Sequence, residues 1–149
     1  MDAVVLAAGM SKRMGDKNKL LLPFGNKTII EHVIEQIISS RVSSTIVVLG
    51  HDHSQILEKL NRYPVEFIFN ASFRKGQTSS IQSAVSLLDP KAIGMMVCLG
   101  DMPLLTTSDY NRVIEDFDTR VMEGGPSIVR PEYKNSPGNP VIFHKIFIP

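Results

Sequence analysis

The chain of 149 residues has one cysteine, no tryptophan and a net charge of only +1. A single cysteine, Cys98, excludes an internal disulfide and a cysteine metal cluster. It lies in the apolar run Met95-Met96-Val97-Cys98-Leu99, where its expected role is to fill the core. The near-neutral balance lacks the basic excess of a general nucleic-acid binder. No apolar run approaches the roughly 20 residues that a membrane helix needs, so no membrane partner is expected. The first apolar run follows Asp2, is too short for a signal peptide and has no cationic lead, which makes the cytoplasm the expected compartment. What is abundant is apolar residues, 43% of the chain, enough for one domain with a real core.

The most informative stretch is VVLAAGMSKRMGDKNKLLLPFG, Val4 to Gly25. Ala3-Val4-Val5-Leu6-Ala7 has the small and β-branched apolar character of a strand buried on both faces. It breaks at Ala8-Gly9 into a loop with a second glycine, Gly15, and the cations Lys12, Arg13, Lys17 and Lys19. Glycines that let backbone N–H groups approach an anion, beside several cations, suggest a phosphate site. The alternative is an ordinary strand-to-helix loop that happens to be basic. Two standard phosphate motifs are excluded. The P-loop spacing fails because five residues separate Gly9 from Gly15 and Asp16 follows, and the dinucleotide fingerprint fails because Ser11 stands two places after Gly9.

Further along, Thr28 and Glu31 form a capping-box pattern at the start of an amphipathic helix over 28–40, with His32 on the opposite, solvated face. Strands are expected at 44–49 and 65–69, with a helix near 52–61 between them. This alternation predicts βαβ units and a parallel sheet with helices on both faces. His51 and His53 have no third ligand in view and read as polar surface rather than a metal site. Gly76 precedes Thr78-Ser79-Ser80 and a helix with Ile81, Ala84, Val85 and Leu88 on one face. That helix start offers N–H groups to an anion or ribose, and plain N-capping by Thr78 or Ser79 accounts for it equally well. A fourth strand, 94–99, runs into Gly100-Asp101-Met102-Pro103, placing a carboxylate at the strand end where α/β sheets bind ligands. Asp101 could instead cap the helix predicted over 108–117, although Thr106, Thr107 and Ser108 are better placed to do so. A strand is expected at 127–130, a loop over 131–136 and a last strand over 141–143.

The run L-A-A-G-x-S-x-R-M-G-x-x-x-K-L-L, from Leu6 to Leu21, resembles the signature of the MobA-like nucleotidyltransferases, and most closely the molybdenum cofactor cytidylyltransferases. Gly100-Asp101-Met102-Pro103 is similar to the second hallmark of that family, and Pro137-Gly138-Asn139-Pro140 to its acceptor-side motif, where histidine often stands in place of Asn139. The resemblance implies a three-layer, mostly parallel sheet of Rossmann-like type, as in nucleotide-diphospho-sugar transferases. It implies that Leu6, Ala7, Ala8, Gly9, Met10, Ser11, Arg13 and Lys19 bind the nucleotide together with Gly76, Ser79, Ser80 and Gly100.

By the same resemblance Arg13, Lys19 and Asp101 are catalytic, Asp101 holds Mg²⁺, and Gly138, Asn139 and Pro140 meet the acceptor. The implied reaction moves a cytidylyl group from CTP to molybdopterin and releases pyrophosphate, with a molybdoenzyme as a further partner. Guanylyl members carry L-A-G-G where this chain has Leu6-Ala7-Ala8-Gly9, which favours CTP over GTP. The alternatives are a guanylyl or sugar-phosphate transferase, or a nucleotide- or cofactor-binding accessory module without turnover. Family members continue past the P-G-x-P segment to an aspartate that supplies a second magnesium ligand. No aspartate follows Asp118 here, so the resemblance implies a single domain, 1–149, truncated at its C-terminus.

Overall fold

The computed structural model describes residues 1–9 and 18–148. Strand β1 (Asp2–Ala7) lies at the centre of the molecule, and its side chains alternate between two cores. Ala3, Val5 and Ala7 face one cluster, while Val4 and Leu6 face the other. After it come a short hairpin, β2 (Pro23–Phe24) with β3 (Lys27–Thr28), and helix α1 (Ile29–Ile38). The expected capping box is present. The Thr28 side chain accepts from the Glu31 N–H, and the Glu31 carboxylate accepts from the Thr28 N–H. Ile30, Val33, Ile34 and Ile37 of α1 are fully buried, each worth roughly 1.5–3 kcal/mol of burial.

The chain continues through β4 (Ser44–Leu49), α2 (His53–Leu60), β5 (Glu66–Phe69), α3 (Gln77–Ala84), β6 (Gly94–Leu99) and α4 (Thr107–Gly124). It ends with β7 (Ile128–Val129), β8 (Glu132–Tyr133), β9 (Ser136–Pro137) and β10 (Val141–His144). The main sheet has six strands in the order β5-β4-β1-β6-β10-β7. Strands β5, β4, β1 and β6 are mutually parallel, whereas β10 runs antiparallel to β6 and β7 antiparallel to β10. Helices α1, α2 and α4 cover one face through Ile34, Ile56, Leu60, Ile114 and Phe117, and α3 covers the other through Ile81 and Ala84. This is the expected three-layer, mostly parallel architecture.

Three local expectations are corrected. The last helix runs to Gly124 rather than stopping at 117, because Val121 continues its apolar stripe and the chain ends it only at Gly125, φ +88°. Residues 131–136 are not a plain loop. Glu132 pairs with Pro137 and Tyr133 with Ser136 around Lys134 and Asn135, both at positive φ, the geometry of a two-residue hairpin turn. His32 is partly buried rather than solvated, with its ring 4.7 Å from that of Phe24 in the β2–β3 hairpin.

Successive strands run outward from β1 through β4 to β5, and then the chain crosses to β6 on the other side of β1. The strand order therefore reverses between β1 and β6. The crevice outside the carboxyl ends of those two strands is where open α/β sheets take their ligands.

Candidate functional site

Two glycines bring the strand ends together. A Cβ on Gly50, just past β4, would stand 2.7 Å from Ala8 Cβ, 2.8 Å from Phe73 Cβ and 2.9 Å from the Ala8 carbonyl. A Cβ on Gly100, just past β6, would stand 2.9 Å from Ile30 Cδ1 and 3.1 Å from the Leu6 carbonyl. The Gly100 N–H donates to that carbonyl at 3.2 Å. Without side chains, both residues let backbone lie against the continuation of β1, which ends in buried Ala8 and exposed Gly9.

Lys19 opens a 3₁₀ turn, Lys19–Leu21, anchored by buried Leu20 and capped by Asn18, whose side chain accepts from the Leu20 N–H at 3.0 Å. From this turn Lys19 Nζ reaches Asp101 Oδ2 at 3.1 Å. Both side chains stay substantially open, 45% and 41% exposed, so a ligand can reach either one. Asp101 does not cap α4. Thr106 does that, in a second capping box with Asp109, and the Thr106 hydroxyl and N–H hold the Asp109 carboxyl below the ordinary aspartate range. Asp101 is thus a carboxylate at a strand end without a capping task.

Asn70, buried at the end of β5, donates to Ser79 Oγ at 2.9 Å and to Ser80 Oγ at 3.1 Å. The Ser79 hydroxyl lies 2.9 Å from the Gly76 carbonyl and 3.0 Å from the Ser72 carbonyl. Gly76, at φ 99° and ψ −174°, occupies a conformation open essentially to glycine, and no side chain caps the α3 N-terminus behind it. The N-capping alternative for Thr78 and Ser79 is therefore not what the structure adopts.

Gly138, Asn139 and Pro140 precede β10, whose Val141 pairs with Val97 of β6. Their backbone runs toward the carboxyl end of β6, on the side away from β1. The Gly138 N–H donates to the Pro131 carbonyl at 2.8 Å, and the Asn139–Pro140 peptide is cis. Asn139 and Pro140 line a cleft of about 400 Å³ with Leu105, Val113, the cations Arg112 and Arg130, and the carboxylates Asp109, Asp116 and Glu132.

The structure thus joins Lys19 to Asp101 and sets Leu6, Ala8 and Gly100 at the same crevice. Ser79 and Ser80 bond to Asn70, and Asn139 and Pro140 belong to the cleft along α4. Met10, Ser11 and Arg13 lie outside the described residues. Among the described residues, no three of His, Cys, Asp and Glu converge on a metal position. The ring of His53 lies 4.9 Å from that of Phe69, and His51 lies 3.4 Å from the Asp52 carboxylate. Among the described residues Asp101 is a half-exposed carboxylate of the kind that can hold a divalent cation whose other oxygens come from phosphates and water. Sequence reasoning missed Asn18, Asp52 and Asn70. The signal was available for Asn70, a polar residue directly after the apolar end of a parallel strand, whereas Asp52 stands three residues past the end of β4.

A family model, described as a MobA-like NTP transferase domain, matches residues 3–149. The Bifunctional protein GlmU of Burkholderia orbicola is 33% identical over 116 residues, covering 77% of this chain and 25% of that protein. A Methanosarcina mazei protein named "Probable molybdenum cofactor guanylyltransferase" is 33% identical over 119 residues, covering 76% of this chain and 51% of its own length. The chain thus spans a quarter to a half of these curated relatives. Among solved structures, the Mycobacterium sp. strain JC1 homologue of the Mycobacterium tuberculosis protein Rv0371c is 30% identical, with a TM-score of 0.81 over 99% of this chain and 71% of that one.

Proposed function

Because this chain belongs to the MobA-like NTP transferase family, we propose that it transfers a cytidylyl group from CTP to the phosphate of a molybdopterin-type acceptor. The observation that carries this reading is the Lys19–Asp101 pair, 3.1 Å apart, at the point where the strand order reverses. An acceptor phosphate oxygen attacks the α-phosphorus in line. The new O–P bond forms as the bond to the β-phosphate oxygen breaks, and pyrophosphate leaves. No protein nucleophile is needed, because positioning and charge neutralisation dominate such transfers.

In this reading Lys19 turns from Asp101 to the α-phosphate and stabilises the charge that develops there. Gly100 and Ala8 bring the backbone close to the nucleotide, and Asp101 holds magnesium. When bound, the ion neutralises the triphosphate and orients it. The cleft beside Asn139 and Pro140 receives the acceptor. Guanylyl transfer is the second reading, favoured by the name of the Methanosarcina relative.

Pyrophosphate release from Mg·CTP and Mg·GTP, each with and without molybdopterin, tests the proposal. Acceptor-dependent release with CTP is expected. Release with GTP alone replaces the cytidylyl reading with the guanylyl one, and release with neither overturns the transfer.

A further inference from the structure

The polar groups along the carboxyl edge of the sheet extend beyond Lys19 and Asp101. Asn18, only 7% exposed, uses both ends of its amide. Its Oδ1 accepts from the Leu20 N–H at 3.0 Å, and its Nδ2 donates to Asp52 Oδ2 at 3.2 Å. The first bond caps the turn that carries Lys19, and the second fixes which end of the amide faces that turn. An ionised carboxylate only accepts, so Asp52 keeps Nδ2 toward itself and leaves Oδ1 aimed at Leu20. With the amide reversed, an N–H would face an N–H in a buried place where water cannot readily mend the cap.

The backbone of Asp52 supports the same role. It sits at φ 54° and ψ 29°, a left-handed conformation that few residues besides Gly, Asn and Asp adopt. It comes two residues after Gly50, where Ala8 and Phe73 leave no room for a side chain. Hydrogen bonds therefore link a side chain on one side of β1 to the turn whose Lys19 reaches Asp101 on the other.

We infer that Asp52 is a positioning residue which, through the amide of Asn18, sets the turn that presents Lys19 to a nucleotide's phosphates. This rests on the reading of Lys19 as a phosphate contact. Two variants separate the side-chain bond from the backbone shape. Asp52→Asn keeps an oxygen acceptor and tolerates the left-handed conformation, whereas Asp52→Gly keeps only the conformation. Three quantities are measured on each: the Kd of whichever Mg·nucleotide binds wild type (CTP or GTP), the thermal midpoint, and the exchange rate of the Leu20 amide.

Asp52→Asn is expected to bind within about twofold of wild type, and Asp52→Gly about tenfold more weakly, the size of one hydrogen bond to a charged group. The Leu20 amide is expected to exchange faster in Asp52→Gly alone, with the midpoint of Asp52→Gly lowered by several degrees and that of Asp52→Asn close to wild type. Nucleotide binding by Asp52→Gly equal to wild type overturns the inference. Equal losses in the two variants also overturn it, because charge rather than the bond to Asn18 would then be the operative property. If wild type binds neither nucleotide, the functional reading fails and Leu20 exchange decides the positioning link by itself. Faster exchange in Asp52→Gly than in Asp52→Asn sustains that link, and equal exchange overturns it.

Discussion

Lys19 Nζ and Asp101 Oδ2 lie 3.1 Å apart although 82 residues separate them in the chain. One sits on a capped turn after β1 and the other on the residue that follows Gly100, so the two meet because β1 and β6 are hydrogen-bonded neighbours. Both side chains are more than 40% exposed, and such a pair contributes at most about 1 kcal/mol to stability. It is a weak link, readily exchanged for contacts with a ligand.

Asp101→Ala is therefore expected to shift the thermal midpoint by less than about 4 °C while abolishing magnesium-dependent nucleotide binding. Calorimetric titration with Mg·CTP beside a thermal melt checks both halves. Wild-type affinity in the variant would remove the metal role from Asp101.

Lys19→Ala should lower kcat by about 100-fold or more and weaken nucleotide binding by less than about tenfold, because its contact strengthens as charge develops in the transition state. Single-turnover rates set against binding constants make the comparison. Equal losses in both would reduce Lys19 to a binding residue.

Gly50→Ala is expected to cost about 1–3 kcal/mol in urea unfolding. Its new Cβ would meet two β-carbons and a carbonyl within 3 Å, none of which is the far end of a flexible side chain. Gly124→Ala is the control. It has no atom within 4 Å of its Cβ position, lies in the last turn of α4 and should stabilise by up to about 1 kcal/mol.

Acid should act through the outer flank of α1. The hydrogen bond from Lys27 Nζ, 2.6 Å from Glu35 Oε2, lowers the Glu35 carboxyl against the effect of burial, and the Tyr63 hydroxyl adds to it. Burial raises Glu31, but bonds from Thr28 and the charge of Arg62 outweigh it and leave that carboxyl below its ordinary value as well. Folded-state values below the unfolded ones mean stability that is fully present above the unfolded carboxylate pKa, about 4.3, and is lost as pH falls through the folded values. Urea midpoints should be flat from about pH 7 to 5 and then decline, with a shallower decline in Glu35→Gln. An equally steep decline in that variant would assign the acid sensitivity elsewhere.

Cys98 lies fully inside the core, and burial pushes its thiol pKa up. A thiol reagent should label it only as fast as the protein unfolds globally. Rapid labelling of the native protein would show that the β6 region opens on its own.

The parallel sheet was legible because β1, β4 and β6 are uninterrupted apolar runs that need cover on both faces. Helix α1 was legible from Thr28 and Glu31. The end of α4 was not, because Met122 is 86% exposed and Val121 is the one partly buried apolar residue in its last turns. The β8–β9 hairpin was hidden for a related reason. Its residues are exposed, and Lys134 at positive φ is no turn signal. In the site, Asp101 was visible from its place after a buried strand. Asn18 was not, since its importance arises from an amide shared between Leu20 and Asp52, which lies 34 residues away.

The central position of β1 also bears on how the chain assembles. Asp2 pairs in register with Ser44 on one side and with Met95 on the other, so β1 precedes both partners and the second follows only after a long interval. Until Gly94–Leu99 is synthesised, β1 with its apolar run Ala3–Ala7 has an open edge of N–H and C=O groups. Sheet closure then waits on a distant contact, which slows folding and lengthens the interval in which partly made chains can pair with one another. The topology that creates the crevice thus leaves one edge of β1 open in the nascent chain until β6 arrives.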